Sequence, residues 1–147
     1  MPATNRVDMT ILDKQSSGII FDDAIINIRD LRLRTYIGFN PEELSKRQDV
    51  VVNAAISYRA GQACESDDEL NALNYKPITK EIISLVEQGQ FRLLEKLAAE
   101  LLALVMSNEE VTRVSVTVDK PHALRFSDSV GITLSASRQN QTDLTKC

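Results

Sequence analysis

Four segments of this chain alternate apolar and polar residues with a period of two. Two segments between the inner pair repeat at helical spacing, and this order leaves few ways to bury the apolar side chains. From Ala24 to Ile37 the alternating apolar set is Ile26 and Ile28, then Leu31, Leu33 and Thr35, so the parity shifts near Arg29-Asp30 as a bulge would require. Val50, Val52, Ala54, Ile56 and Tyr58 define a second strand. After an acidic loop from Glu65 to Glu69, Pro77 suits a first helical turn, where its missing amide proton costs nothing. Ile78, Ile82, Leu85 and Val86 then form one stripe, with Gly89 as a stop. A second helix from about Leu94 buries Leu94, Leu97, Ala98, Leu101 and Val105. Val114, Val116 and Val118 mark a third strand, and Val130, Ile132, Leu134 and Ala136 a fourth.

The expected architecture is α+β: an antiparallel four-stranded sheet in ββααββ order, with two helices covering its apolar face. The opposite face of the last two strands is serine, threonine and glycine with one arginine. Such a face does not pack against a second dry layer; it suits water, or the lumen of a barrel built from several subunits. The outer strands also present edges that a closed ring would pair, so a homo-oligomer is expected on physical grounds. The 147 residues suit one domain, large enough to bury a core without disulfides or metal. Residues 1–22 lack sustained periodicity and read as a flexible extension, 23–138 as the domain, and 139–147 as a polar tail.

Seventeen Lys and Arg against 21 Asp and Glu give a net charge of -4, which argues against a broad phosphate-backbone footprint and hence against nucleic-acid binding. It leaves room for a few arginines gathered at one anionic substrate. Cys64 and Cys147 are far apart, His122 is the only histidine, and no paired metal-ligand spacing occurs, so no zinc or iron site is expected. Without a disulfide framework, a signal-peptide core or an apolar run of membrane-spanning length, the expected location is the cytoplasm.

Four patterns in register across residues 24–138 carry a more specific message. They are Tyr36-Ile37-Gly38 followed by Glu43 and Gln48; Leu73-Asn74-Tyr75; Phe91-Arg92-Leu93-Leu94-Glu95-Lys96-Leu97-Ala98; and Asp119-Lys120-Pro121 before the last strand. Each alone is weak, but in this order and spacing they closely resemble the dihydroneopterin aldolase and epimerase family. The resemblance implies the tunnelling fold, which has the same strand and helix order and closes as tetrameric barrels that stack into octamers.

The resemblance also implies a pterin substrate, no cofactor and no metal. At its motif position Glu95 would anchor the pterin, because a carboxylate accepts two parallel N–H donors; in isolation it reads as a solvated acid favoured by the helix dipole. Leu94 and Asn74 are carried over as further substrate-binding positions. Lys120 would stand near the ring nitrogen that gathers charge during bond cleavage, by the logic of an oxyanion hole. Tyr75 would handle a side-chain proton, reaching in from a neighbouring subunit, and Glu43 would order a water or the substrate hydroxyls. Without the resemblance, Lys120 is an exposed strand-terminal lysine and Tyr75 a packing peg. Glu42 leaves the Glu43 assignment ambiguous by one position, and the spacing from Gly38 and Gln48 favours Glu43.

The implied reaction uses the dihydropterin's own C=N bond as electron sink. Deprotonation of the 2'-hydroxyl breaks C1'–C2' and leaves an enamine-like pterin. An aldolase protonates that species and releases glycolaldehyde and hydroxymethyl-dihydropterin; an epimerase keeps the aldehyde, turns it and rejoins it. A phosphorylated fragment gives the protein something to hold. Leu31-Arg32-Leu33-Arg34-Thr35, Asn74-Tyr75-Lys76 and the run from His122 to Val130 resemble the branch that epimerises dihydroneopterin triphosphate. On this reading His122, Arg125 and Arg34 contact the triphosphate, whereas Arg32 reads better as a solvated surface group. The alternatives are an aldolase, or a binding module that recognises a pterin or nucleotide without chemistry. A zinc-dependent cyclohydrolase would need ligands the chain lacks.

Overall fold

The computed structural model describes residues 18–138; the tail expected over 139–147, and residues 1–17 of the expected extension, lie outside them. In chain order the elements are β1 (Ala24–Ile37), α1 (Pro41–Ser45), β2 (Gln48–Tyr58), α2 (Gly61–Ser66), a 3-10 turn (Glu69–Asn71), α3 (Tyr75–Glu87), β3 (Gln90–Phe91), α4 (Leu94–Met106), β4 (Val111–Lys120) and β5 (Val130–Ser137).

The strands form one sheet in the order β3-β1-β2-β4-β5. The four long strands pair antiparallel, while β3 lies parallel to the end of β1 through Tyr36↔Gln90 and Ile37↔Phe91. The sheet is therefore mixed and five-stranded, where the sequence led us to expect four antiparallel strands. A two-residue strand is too short to carry a period. It arises because the chain leaving α3 passes beside the end of β1 on its way to α4. The two expected loops also differ: Asn40, whose side chain accepts from the Glu43 amide at 2.9 Å, caps α1, and the acidic segment folds into α2 and the turn.

β1 carries the expected bulge. Ile28 pairs with Ala54 but Leu31 with Val52, one residue out of step. Asp30 takes a left-handed conformation at φ 54°, and its amide, lost to the ladder, donates to Asn53 Oδ1 at 2.9 Å. The bulge puts Leu33, Thr35 and Ile37 on the same face as Ile26 and Ile28 despite the change in parity.

That face is the core. α3 contributes Ile78, Ile82 and Val86 at four-residue spacing, and α4 contributes Leu97, Ala98, Leu101, Leu102 and Val105. α3 packs over β1, and α4 over β4 and β5. Each fully buried aliphatic side chain contributes about 1.5–3 kcal/mol. Thr35, fully buried, is satisfied by donating from Oγ1 to the Gly89 carbonyl at 3.2 Å. On β4 and β5 the other face carries a row of hydroxyls: Thr117 and Thr133 are bonded at 2.7 Å, Ser135 and Ser115 at 3.0 Å. No helix among the described residues is long and apolar enough to cross a membrane.

Candidate active site at one end of the sheet

β1 ends at Ile37, β2 begins at Gln48 and β4 ends at Lys120, so antiparallel pairing brings all three termini to one rim. Gly38 follows β1 with φ +126°, and its amide donates to the Phe91 carbonyl at 2.9 Å. This bond draws the start of α4 toward the same rim. A Cβ at Gly38 would lie 2.2 Å from the Cδ and Oε1 of Glu43. Only a glycine lets the backbone run this close to the carboxylate.

Glu43 Oε2 lies 2.6 Å from Lys120 Nζ, with the side chains 20% and 15% exposed. Gln48 donates from Nε2 to Glu43 Oε2 at 3.2 Å and to the Ile37 carbonyl at 2.5 Å. Of the two adjacent acids, Glu43 is the one that meets the lysine. The Lys120 ammonium holds the Glu43 carboxyl below its ordinary range; partial burial opposes this, and the bond from Gln48 assists it. The result is a carboxylate and an ammonium fixed against each other at a solvent-accessible margin, an arrangement able to accept and return a proton or to stabilise negative charge.

Leu94 and Glu95 open α4. Leu94 is half-buried against the core. Glu95 is exposed, and among the described residues its carboxylate has no ion-pair or hydrogen-bond partner.

Asn74 and Tyr75 stand elsewhere. Asn74 caps α3 by accepting from the Lys76 amide at 3.3 Å, and Tyr75, half exposed, follows it. Tyr75 lines a recess of about 580 Å³ with Ile26, Ile28, Tyr58 and Leu73. Tyr58 pairs with Val111 at the start of β4, whereas Lys120 ends that strand, nine residues later. Ile28, at the other end of the recess, is level with Val116 through Ala54, so at ~3.3 Å per residue the recess lies roughly 13–30 Å from Lys120 along β4.

The basic residues also divide. Arg34 Nε lies 3.3 Å from Asp49 Oδ1, and His122 Nε2 lies 3.8 Å from Asp49 Oδ2. Arg34, Asp49 and His122, with Arg32, line a recess of about 330 Å³. Arg125 does not line it; its guanidinium lies 5.5 Å from the centre of the Phe126 ring. Sequence reasoning passed over Asp49 and read Arg32 as a surface group. The available signal was the strand register, which sets Arg34 directly opposite Asp49. Among the described residues no three of His, Cys, Asp and Glu are grouped as metal ligands.

A family model described as dihydroneopterin aldolase (FolB) matches residues 26–135. A dihydroneopterin triphosphate 2'-epimerase of Pseudomonas aeruginosa is 52% identical over 115 residues, covering 78% of this chain and 94% of that protein. Its Escherichia coli K12 counterpart is 50% identical, covering 78% and 96%. The dihydroneopterin aldolase of Haemophilus influenzae is more distant, at 30% identity over 71% of this chain and 89% of that protein. Among solved structures, Escherichia coli dihydroneopterin aldolase in complex with neopterin superposes with a TM-score of 0.73 at 27% identity, covering 78% of this chain and 99% of that one.

Proposed function

The chain belongs to the dihydroneopterin aldolase family, and we propose that within it the protein is an enzyme that interconverts dihydroneopterin triphosphate and dihydromonapterin triphosphate. One observation carries the choice of reaction: the Lys120–Glu43 pair shares its rim with a recess lined by Arg32, Arg34 and His122. A proton-handling pair next to clustered basic side chains suits a substrate that must be cleaved and whose charged fragment must be kept. Half-identity to two epimerases, against 30% to an aldolase, supports the same choice.

In the proposed reaction the 2'-hydroxyl gives up its proton to the Lys120–Glu43 pair through a water that Glu43 orders, and the C1'–C2' bond breaks. Its electron pair moves into the dihydropterin C=N system. Lys120 stabilises the charge that collects on the ring, while Glu43 holds that ammonium and orders the hydroxyl or a water. Glu95, with its carboxylate unengaged, takes the pterin's amine and ring N–H, Leu94 helps to seat it, and Asn74 enters beside Tyr75 from a second copy. The aldehyde fragment turns, and C1' attacks its opposite face, which inverts C2' and returns the proton. Release of the fragment before re-addition is the aldolase outcome, and the shared first step makes it a side reaction of the same site.

Tyr75 enters from a second copy. Its recess lies roughly 13–30 Å along β4 from Lys120, so Tyr75 of one subunit completes the site around Lys120 of the next. The outer edge of β5, unpaired among the described residues, and the hydroxyl face of β4 and β5 support a closed ring, and we assign an octamer of two stacked tetrameric barrels. Cys64, exposed and free, suits a reducing compartment, and we assign the cytoplasm.

The test is to supply dihydroneopterin triphosphate, resolve the stereoisomers by chiral chromatography, and measure aldehyde release in parallel. Epimer formation well ahead of release is expected. Rapid cleavage of unphosphorylated dihydroneopterin with little epimer would make the protein an aldolase, and saturable binding without turnover would make it a binding module.

A further inference from the structure

The recess beside Pro121 is built around a carboxylate. Asp49, the second residue of β2, stands directly across from Arg34, and its two oxygens lie 3.3 Å from Arg34 Nε and 3.8 Å from His122 Nε2. Arg34 is held a second time, donating from Nη2 to the Arg47 carbonyl at 3.2 Å. Its main-chain amide, at 3.5 Å from Glu87 Oε2, leaves the guanidinium uninvolved. Arg32, two residues earlier and so on the same face of β1, lines the recess too. Its volume of about 330 Å³ lies at the small end of the ~300–1,000 Å³ usual for ligand sites.

Cation and anion here are roughly half to four-fifths exposed, at 63% for Arg34, 52% for Asp49 and 82% for His122. Such pairs contribute little to stability, typically ~0–1 kcal/mol. A tight fold has no need of them, but an exchangeable anion site does. Asp49 holds the Arg34 guanidinium and stands next to His122, and a polyanion that brings more charge and more acceptor oxygens can take its place. Arg125 has no share in this, being stacked on Phe126 outside the recess.

We infer that Arg32, Arg34 and His122 form the subsite for the substrate's phosphate chain, and that Asp49 is the internal carboxylate which the chain displaces. The inference rests on the epimerase reading and adds to it the residues that set preference for a phosphorylated substrate. Asp49 is a specificity-determining residue: it occupies the phosphate's place when the site is empty, so the subsite favours multiply charged ligands over singly charged ones.

Inorganic tripolyphosphate is the probe for calorimetric titration of the full-length protein, run in parallel with steady-state kinetics on dihydroneopterin triphosphate and on unphosphorylated dihydroneopterin. Arg34→Gln and Arg32→Gln are each expected to weaken tripolyphosphate binding and raise KM for the triphosphate by about tenfold or more, with the unphosphorylated substrate changed less than about twofold. Asp49→Asn is expected to tighten tripolyphosphate several-fold and to raise its sensitivity to added salt. Equal losses on both substrates, or tripolyphosphate binding unchanged by Arg32→Gln and Arg34→Gln, would overturn the subsite. Weaker binding in Asp49→Asn would overturn the displacement. A wild type that turns over the triphosphate no better than the unphosphorylated substrate would sink the epimerase reading instead, while tripolyphosphate binding would still report on the recess.

Discussion

Gly38→Ala is a small change with a large and divisible expected cost. The first part is conformational: at φ +126° an L-residue sits in a sparsely populated region, which costs about 1–3 kcal/mol. The second part is contact, because the three atoms nearest to an added Cβ all belong to the Glu43 carboxyl, at 2.2, 2.2 and 2.5 Å. A glutamate terminus can move aside, but doing so breaks the 2.6 Å contact with Lys120 and the bond from Gln48. Loss of that charge-assisted set, at a site 15–20% exposed, costs about 1–2 kcal/mol more. The expected total is about 2–5 kcal/mol. The two parts separate in a double-mutant cycle followed by urea denaturation. In a Glu43→Ala background nothing remains for the new methyl to displace, so Gly38→Ala should cost only its conformational part. A coupling of about 1–2 kcal/mol is expected, and additivity within ~0.5 kcal/mol would refute the claim that Gly38 exists to admit the carboxylate. The single variant should also lose turnover, since Glu43 no longer meets Lys120.

Three further outcomes are expected. Glu43 has a lowered pKa in the fold, so it contributes stability above its unfolded pKa, and that contribution is lost as pH falls through the folded value. The urea midpoint should drop below about pH 4.5 by less in Glu43→Gln than in wild type; identical acid limbs would exclude the pair from the stability profile. Lys120→Met and Tyr75→Phe should each reduce turnover by about 10²-fold or more, and subunits of the two variants, unfolded together and refolded, should regain activity through mixed sites; no recovery would argue against a site shared between copies. Leu97→Ala, at a fully buried position, should cost about 2–5 kcal/mol by urea denaturation while leaving KM unchanged in the folded protein.

Much of the fold was legible because burial writes itself into periodicity. Val50 to Tyr58 and Val114 to Val118 alternate without interruption, the parity change near Asp30 announced a bulge, and Ile78, Ile82 and Val86 repeat at a helix's spacing. β3 was not legible, since two residues have no period, and α1 was hidden behind Pro41 and two glutamates in a segment that reads as polar loop. At the site, the family resemblance pointed to Lys120 and Glu43, two residues that the fold brings within 2.6 Å of each other. Asp49 escaped because its importance lies in what faces it across a strand pair, a relation that appears only once the register is known. Arg32 lines the recess and Arg125 does not, a difference their similar sequence surroundings do not show, because it depends on strand position and loop path.

The irregularity at Arg29-Asp30 decides more than the shape of β1. Every side chain downstream of it faces the way it does because the strand holds one residue more than its partner. Remove that residue and Leu31 and Leu33 would turn to water while Arg32 and Arg34 turned into the hydrocarbon. The apolar interior and the cationic hollow are thus two readings of a single offset in counting, and a lineage could not lose one by deletion here without forfeiting the other.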